Sequence, residues 1–268
     1  MIKGQISILL RQIGLMFIVD KVRYHIERFN NRKDNKDFKR KNPDIKLPPD
    51  YLIYESFRIN YKKYYTDSID SAKWLVSHFN KYVELKDKKI LDWGCGPARV
   101  IRHLPSIIGS NCTYYGTDYN KRSIDWCTQN ITDAEFNCNS LSASLPYQEN
   151  FFDIIYGISI FTHLSEQLHS DWYEELYRIL SPNGIMFLTT QGDNFKVKLT
   201  NSELEKYNDG KLIIRGKVKE GHRTYSAFHP PAFMKKLFSD VEILEHIVRN
   251  NDNGKWIPQD IWIIKKKN

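Results

Sequence analysis

The chain has 268 residues, 41% of them hydrophobic and 27% charged. That is long enough for one large domain with its own core, and the apolar periodicity from about residue 70 onward excludes disorder over most of the length. The formal charge is +8, with 12 Lys plus Arg against 6 Asp plus Glu in residues 1–50, so a basic end precedes a near-neutral body. A uniformly basic body would point to nucleic acid; a basic end points to a local anionic contact, a tail or solubility. Cys95, Cys112, Cys127 and Cys138 fit neither a CxxC zinc pair nor a disulfide-dense secreted domain and read as free thiols.

Taken in chain order, Leu15, Ile18, Val19, Val22, Ile26 and Phe29 recur at helical spacing and predict one amphipathic helix over about 5–30. Such a helix packs on the domain, on a partner subunit as a dimerisation element, or on a membrane surface as a peripheral contact. Arg11, Asp20, Lys21 and Arg23 interrupt it, so it spans no bilayer, and Arg11 also cuts short any secretory signal. The expected location is the cytoplasm, with the inner membrane face as a peripheral site. Residues 31–46 hold seven Lys or Arg and three Asp with little apolar content and predict an exposed linker. The expected division is therefore 1–46 as helix and linker and 47–268 as the main domain.

Ala72, Leu75, Val76, Phe79 and Val83 predict a helix before the first strong strand. Strands at 88–93, 112–117, 134–137, 152–158 and 184–190 then alternate with helices near 97–108, 120–130 and 166–180, the pattern of a parallel sheet covered on both faces. After Gly192 the pattern changes: 193–229 mixes short signals, a helix follows at about 231–238, and strands at 241–248 and 259–265 flank a turn at Asn253-Gly254. A connection that short makes them an antiparallel pair.

The most informative stretch is Ile90-Leu91-Asp92-Trp93-Gly94-Cys95-Gly96-Pro97-Ala98-Arg99-Val100, a strand running into a glycine turn and a helix. As a nicotinamide fingerprint it fails, because Arg99 stands where a small residue must pack. Spaced as G-x-G-x-G, with Ala98 in the last place and Asp92 ahead of it, the turn resembles motif I of class I S-adenosylmethionine-dependent methyltransferases. The resemblance continues through Tyr115-Gly116-Thr117-Asp118-Tyr119-Asn120, the run Leu145-Pro146 to Phe152-Asp153, and Glu175-Leu176-Tyr177-Arg178-Ile179-Leu180-Ser181-Pro182-Asn183-Gly184, covering about residues 85–191 in order.

What the resemblance implies is an α/β fold: a Rossmann-like seven-stranded, mostly parallel sheet with an antiparallel C-terminal strand, helices on both faces and an N-terminal helical extension. It implies S-adenosylmethionine as cofactor, on Asp92, Gly94, Cys95, Gly96, Asp118 and Tyr119, with Asn139 and Leu141 where the family places adenine contacts and Ser159 past the fourth strand. Asp118 would take both ribose hydroxyls, for which an ionised carboxylate is chemically suited. The sulfonium methyl is already activated, so no metal is required.

His163, just past the fourth strand, is the candidate base for a hydroxyl acceptor, and His229 a second candidate. The acceptor should be read in residues 51–68 and 193–230; Tyr51, Tyr54, Phe57, Tyr61, Tyr64 and Tyr65 either stack on a cyclic acceptor or pack beneath the sheet. The layout resembles small-molecule and glycan methyltransferases, which implies such an acceptor and not nucleic acid. RNA or protein as acceptor, or a non-catalytic binding module on the same fold, are the alternatives; against a base nitrogen stands Gly157-Ile158-Ser159-Ile160, where an Asn-Pro-Pro-Tyr-type tetrapeptide is missing.

Overall fold

A computed structural model describes residues 2–109, 111–250 and 256–268; the turn predicted at Asn253-Gly254 lies outside them. The helices and strands run α1 (Ile2–Gln12), α2 (Met16–Lys41), α3 (Asp50–Ser56), α4 (Tyr61–Phe79), β1 (Lys89–Trp93), α5 (Leu104–Ile108), β2 (Thr113–Asp118), α6 (Lys121–Asn130), β3 (Glu135–Cys138), β4 (Phe152–Ile158), α7 (Glu166–Ile179), β5 (Leu180–Thr190), α8 (Asn201–Asn208), β6 (Ile213–Arg215), β7 (Ser226–Phe228), α9 (Pro231–Leu237), β8 (Glu242–Ile247) and β9 (Asp260–Lys265). The main sheet has seven strands in the order β3-β2-β1-β4-β5-β9-β8, and β6 and β7 form a separate antiparallel pair. The chain divides into two compact units, residues 18–140 and residues 1–17 with 141–268.

In the unit 18–140, β1 pairs with β2 and β2 with β3, all parallel, with Leu91 opposite Tyr115 and Asp92 opposite Gly116. β1 is nearly continuous in its burial, as a strand covered on both faces requires. Asn120 starts α6 by accepting from the N–H groups of Arg122 and Ser123. In front of the sheet, α2 is tied to α3 and α4 by polar contacts: Arg28 pairs with Asp50 at 2.9 Å, the Tyr54 hydroxyl donates to Asp20 Oδ1 at 2.7 Å, and the Asn35 side chain accepts from the Tyr61 N–H at 2.9 Å.

Two predictions about this region differ from the structure. The single helix predicted over 5–30 is two, because Gly14 takes a left-handed φ of +72° and ends the first. The linker predicted at 31–46 is helical as far as Lys41. Asn35 and Phe38, three apart, face inward there, Phe38 packing with Ile53, Tyr61 and Tyr64. The stripe Ile18, Val22, Ile26 and Phe29 faces solvent, each more than half exposed.

In the other unit, β4 pairs parallel with β5, and β9 pairs antiparallel with both β5 and β8, so β9 runs against its two neighbours. The Ser165 hydroxyl caps α7, accepting from the Leu168 N–H, and Thr200 with Glu203 forms a capping box on α8. Helix α1 docks through Arg11, whose guanidinium is buried and donates to the carbonyls of Arg215 (2.8 Å), Gly216 (3.4 Å) and Thr224. A Cβ on Gly4 would stand 2.7 Å from the Lys198 carbonyl oxygen, so the helix lies close against residues 198–224. Among the described residues all four cysteines are free, and no helix is long and apolar enough to cross a membrane.

Candidate active site

The unit 18–140 builds a glycine loop between β1 and the short helical turn at 101–103. Gly94, Gly96 and Ala98 have φ of +76°, +51° and +58°, a run of left-handed backbone that curls the chain at the carboxyl end of the strand. The N–H groups of Gly94 and Cys95 both donate to the Thr117 carbonyl, at 2.8 and 3.0 Å, which fastens the loop to the end of β2. The Gly96 N–H donates to Asp118 Oδ2 at 2.8 Å and the Asn120 N–H to Asp118 Oδ1 at 2.7 Å, so the carboxylate that closes β2 is aimed by two backbone donors. Burial outweighs those donors and pushes the Asp118 carboxyl up to about 6. Burial, and then the nearness of Asp118, likewise push the Tyr119 phenol up to about 12.

Asn139 follows β3 and accepts from the Thr117 hydroxyl at 2.6 Å, its own N–H reaching the Asp118 carbonyl. Gly94, Cys95, Gly96, Asp118, Tyr119 and Asn139 therefore gather around the ends of β1 and β2, while Asp92 is buried within β1 itself. Two residues not foreseen from sequence join them. Glu55 accepts from the Asn120 side-chain amide at 2.8 Å, and Ser56 lies where a Cβ on Gly96 would come within 3.1 Å, so α3 lies over the loop. The aromatic run 51–65 was the available signal, and the structure divides it: Phe57 is exposed, Tyr51 and Tyr65 are half-buried and the rest pack inward. Tyr54, Tyr61 and Tyr64 are buried, their hydroxyls donating to Asp20, Asp50 and the Pro97 carbonyl.

Leu141 and Ser159 belong to the other unit. The Leu141 carbonyl accepts from the Trp172 indole at 3.1 Å. Ser159 ends β4 with a left-handed φ of +68°, a strained position for a residue with a Cβ. After it the helical turn Phe161–His163 places His163, whose Nδ1 lies 2.8 Å from the Tyr225 carbonyl. A carbonyl only accepts, so Nδ1 carries the proton and the lone pair is on Nε2. Burial lowers the His163 pKa, Arg223 and His222 add to that, and the Tyr225 contact opposes it, so the ring is neutral at pH 7.

His229 is placed differently. It is buried, with Nε2 2.9 Å from His169 Nε2, and burial followed by His169 drives its pKa well below the usual value. His169 donates from Nδ1 to the Ser165 carbonyl, which leaves His229 as the donor within the pair and ties it to α7, while His229 Nδ1 is buried without a hydrogen-bond partner among the described residues. Among the described residues no group of three or more His, Cys, Asp and Glu is arranged to hold a metal.

A left-handed glycine loop, a carboxylate closing the second strand and an α3 cover suit a nucleoside with a vicinal diol and an extended amino-acid tail. The loop at Gly96 is a cradle with no room for a Cβ, since one would stand 3.1 Å from Ser56 Cβ. The fold is the Rossmann-like one of methyltransferases, and that likeness implies S-adenosylmethionine as cofactor. Residues 90–184 match the family described as a methyltransferase domain.

A SAM-dependent methyltransferase from Methanosarcina mazei superposes with a TM-score of 0.55 at 20% identity, over 71% of this chain and 97% of that one. Among curated proteins, the tRNA N(3)-methylcytidine methyltransferase trm140 of Schizosaccharomyces pombe is 28% identical over 171 residues, 58% of this chain and 53% of its own. The tRNA (carboxymethyluridine(34)-5-O)-methyltransferase of Arabidopsis thaliana is 32% identical over 104 residues, 37% of this chain and 23% of its own. The chain thus spans about half of the first relative's length and a quarter of the second's. The expectation that set nucleic acid aside is overturned, since both relatives are named for tRNA. The N-terminal charge that seemed local is set out along one helix: Arg32, Lys33, Lys36, Lys39 and Lys41 are exposed on α2.

Proposed function

We propose that this protein transfers a methyl group from S-adenosylmethionine to RNA, with a structured RNA of the tRNA kind as substrate. The observation that carries the reading is the 28% identity over 171 residues to an enzyme named for tRNA methylation. Support comes from the exposed lysines and arginines of α2, which would neutralise phosphates without reading sequence.

In this reading Asp118 holds the ribose hydroxyls, and the Gly94–Gly96 loop lies against the amino-acid end. The cofactor supplies a methyl already activated by its sulfonium. What remains for the protein is orientation, exclusion of water and management of one proton. His163 is the group proposed for the proton: among the described residues its Nε2 lone pair has no hydrogen-bond donor, and the Tyr225 carbonyl fixes the tautomer that keeps it so.

Transfer of radiolabelled methyl from S-adenosylmethionine to bulk tRNA, with nucleotide sugars and bulk protein as parallel acceptors, tests the proposal. Label that stays with nuclease-sensitive material supports it. Label confined to the sugars or to protein, with tRNA unlabelled, overturns it.

A further inference from the structure

At the carboxyl ends of β4 and β5 three residues, Ser159, Thr189 and Gln259, close a ring, and Thr162 is joined to it. The Ser159 N–H donates to Thr189 Oγ1 at 2.8 Å, the Thr189 hydroxyl donates to Gln259 Oε1 at 2.6 Å, and Gln259 Nε2 donates to Ser159 Oγ at 2.7 Å. Thr162 donates its hydroxyl proton to the Ser159 carbonyl at 2.6 Å. The 2.9 Å contact between Ser159 Oγ and Thr162 Oγ1 is therefore a donation from Ser159, and every hydroxyl proton in the ring has one destination. Thr162 and Thr189 are buried, so the ring is not loosened by competing water.

The ring surrounds the one left-handed residue that links β4 to the turn 161–163. Ser159 at φ +68° persists only where its surroundings hold it. Gln259, one residue before β9, supplies both the acceptor for Thr189 and the donor for Ser159, and no other residue joins β9 to that turn through hydrogen bonds in the ring. We propose that Gln259 is a positioning residue: its amide holds the Ser159 turn, and through the turn it sets where His163 presents Nε2 to the methyl acceptor. The proposal rests on His163 being the proton acceptor in the reading above.

The test uses the full chain and three substitutions. Gln259→Met keeps the length and removes both hydrogen bonds; Thr189→Val keeps the shape and breaks the ring at another point; Gln259→Glu keeps the ties to Thr189 and Ser159, because the Ser159 hydroxyl can turn to donate into the carboxylate, giving up only its donation to Thr162. The first readout, nitrogen NMR titration of His163, needs no acceptor. In the native protein the unprotonated nitrogen is Nε2. In Gln259→Met and in Thr189→Val the two tautomers mix and the titration midpoint rises toward the ordinary histidine value, the double variant changes no more than either single one, and Gln259→Glu stays native.

The second readout is transfer to tRNA, where kcat falls about tenfold in Gln259→Met with KM within about twofold, and S-adenosylhomocysteine binds as before. An unchanged His163 tautomer and midpoint in Gln259→Met overturns the proposal, as does additivity in the double variant. If the NMR result is as expected and tRNA is not methylated, Gln259 still positions His163 and it is the choice of RNA that falls.

Discussion

Replacing Asp118 by asparagine separates what the carboxylate does for the ligand from what it costs the empty protein. The Asp118 carboxyl moves from 3.8 to about 6 because burial disfavours its charge. An acid whose folded pKa lies above its unfolded value binds the proton more tightly when folded, so its contribution is present below the unfolded value and is lost as pH rises through about 6. Over that interval the loss approaches about 3 kcal/mol. Asp118→Asn removes the charge but leaves one of the two donors, the N–H of Gly96 or of Asn120, without its acceptor, at a cost of about 1 to 2 kcal/mol.

The balance makes the ligand-free variant about 1 to 2 kcal/mol more stable than the native protein at pH 8, a rise of about 2 to 5 °C in melting temperature, and leaves no gain at pH 4.5. Cofactor binding moves the other way: with one acceptor oxygen in place of two and no charge, the variant binds S-adenosylhomocysteine at least about tenfold more weakly at pH 8. Native affinity should itself improve as pH rises from 5 to 7. Thermal melts and calorimetric titration at the two pH values check both halves. Equal affinity of variant and native protein at pH 8, or parallel melting curves across pH, would refute the reasoning.

Gly96→Ala should cost about 1 kcal/mol or more of stability and weaken S-adenosylhomocysteine binding, because a Cβ at φ +51° is strained and meets Ser56 at 3.1 Å; a calorimetric titration with native affinity contradicts the cradle. Arg11→Leu strips the N-terminal helix of a buried cation held by three carbonyls and should lower the melting temperature with cofactor affinity unchanged; a loss of affinity with no change in melting shows instead that the helix serves the cofactor site. His163→Asn should reduce kcat for methyl transfer about a hundredfold while S-adenosylhomocysteine binds normally, which single-turnover assays and titration can separate.

The core of the fold was legible because its signals are local. Ile90 to Val100 is a buried strand meeting glycines, Asn120 and Ser165 are helix starts, and the alternation of periods from 88 to 190 admits few arrangements. The positions of the glycine loop and Asp118 were legible for the same reason, since each lies at a strand end. The N-terminal region was misread where composition and burial diverge. Residues 31–41 look like linker by their charge, yet Asn35 and Phe38 bury one edge of a helix whose other surfaces are wet.

Contacts between distant segments left no mark in the sequence. Glu55 reaches Asn120 across 65 positions, and Gln259 reaches Ser159 across 100. Neither stands in a pattern that periodicity or spacing could detect. The acceptor was the least legible feature, because no local pattern in the chain specifies it.

The most direct test of the account is methyl transfer from labelled S-adenosylmethionine to tRNA by the purified full chain, with the Asp118→Ala variant in parallel. Label incorporated into nuclease-sensitive RNA by the native chain and at least about tenfold less by the variant is the predicted result. Cofactor binding with no label in any RNA, or incorporation that the variant retains in full, would contradict it.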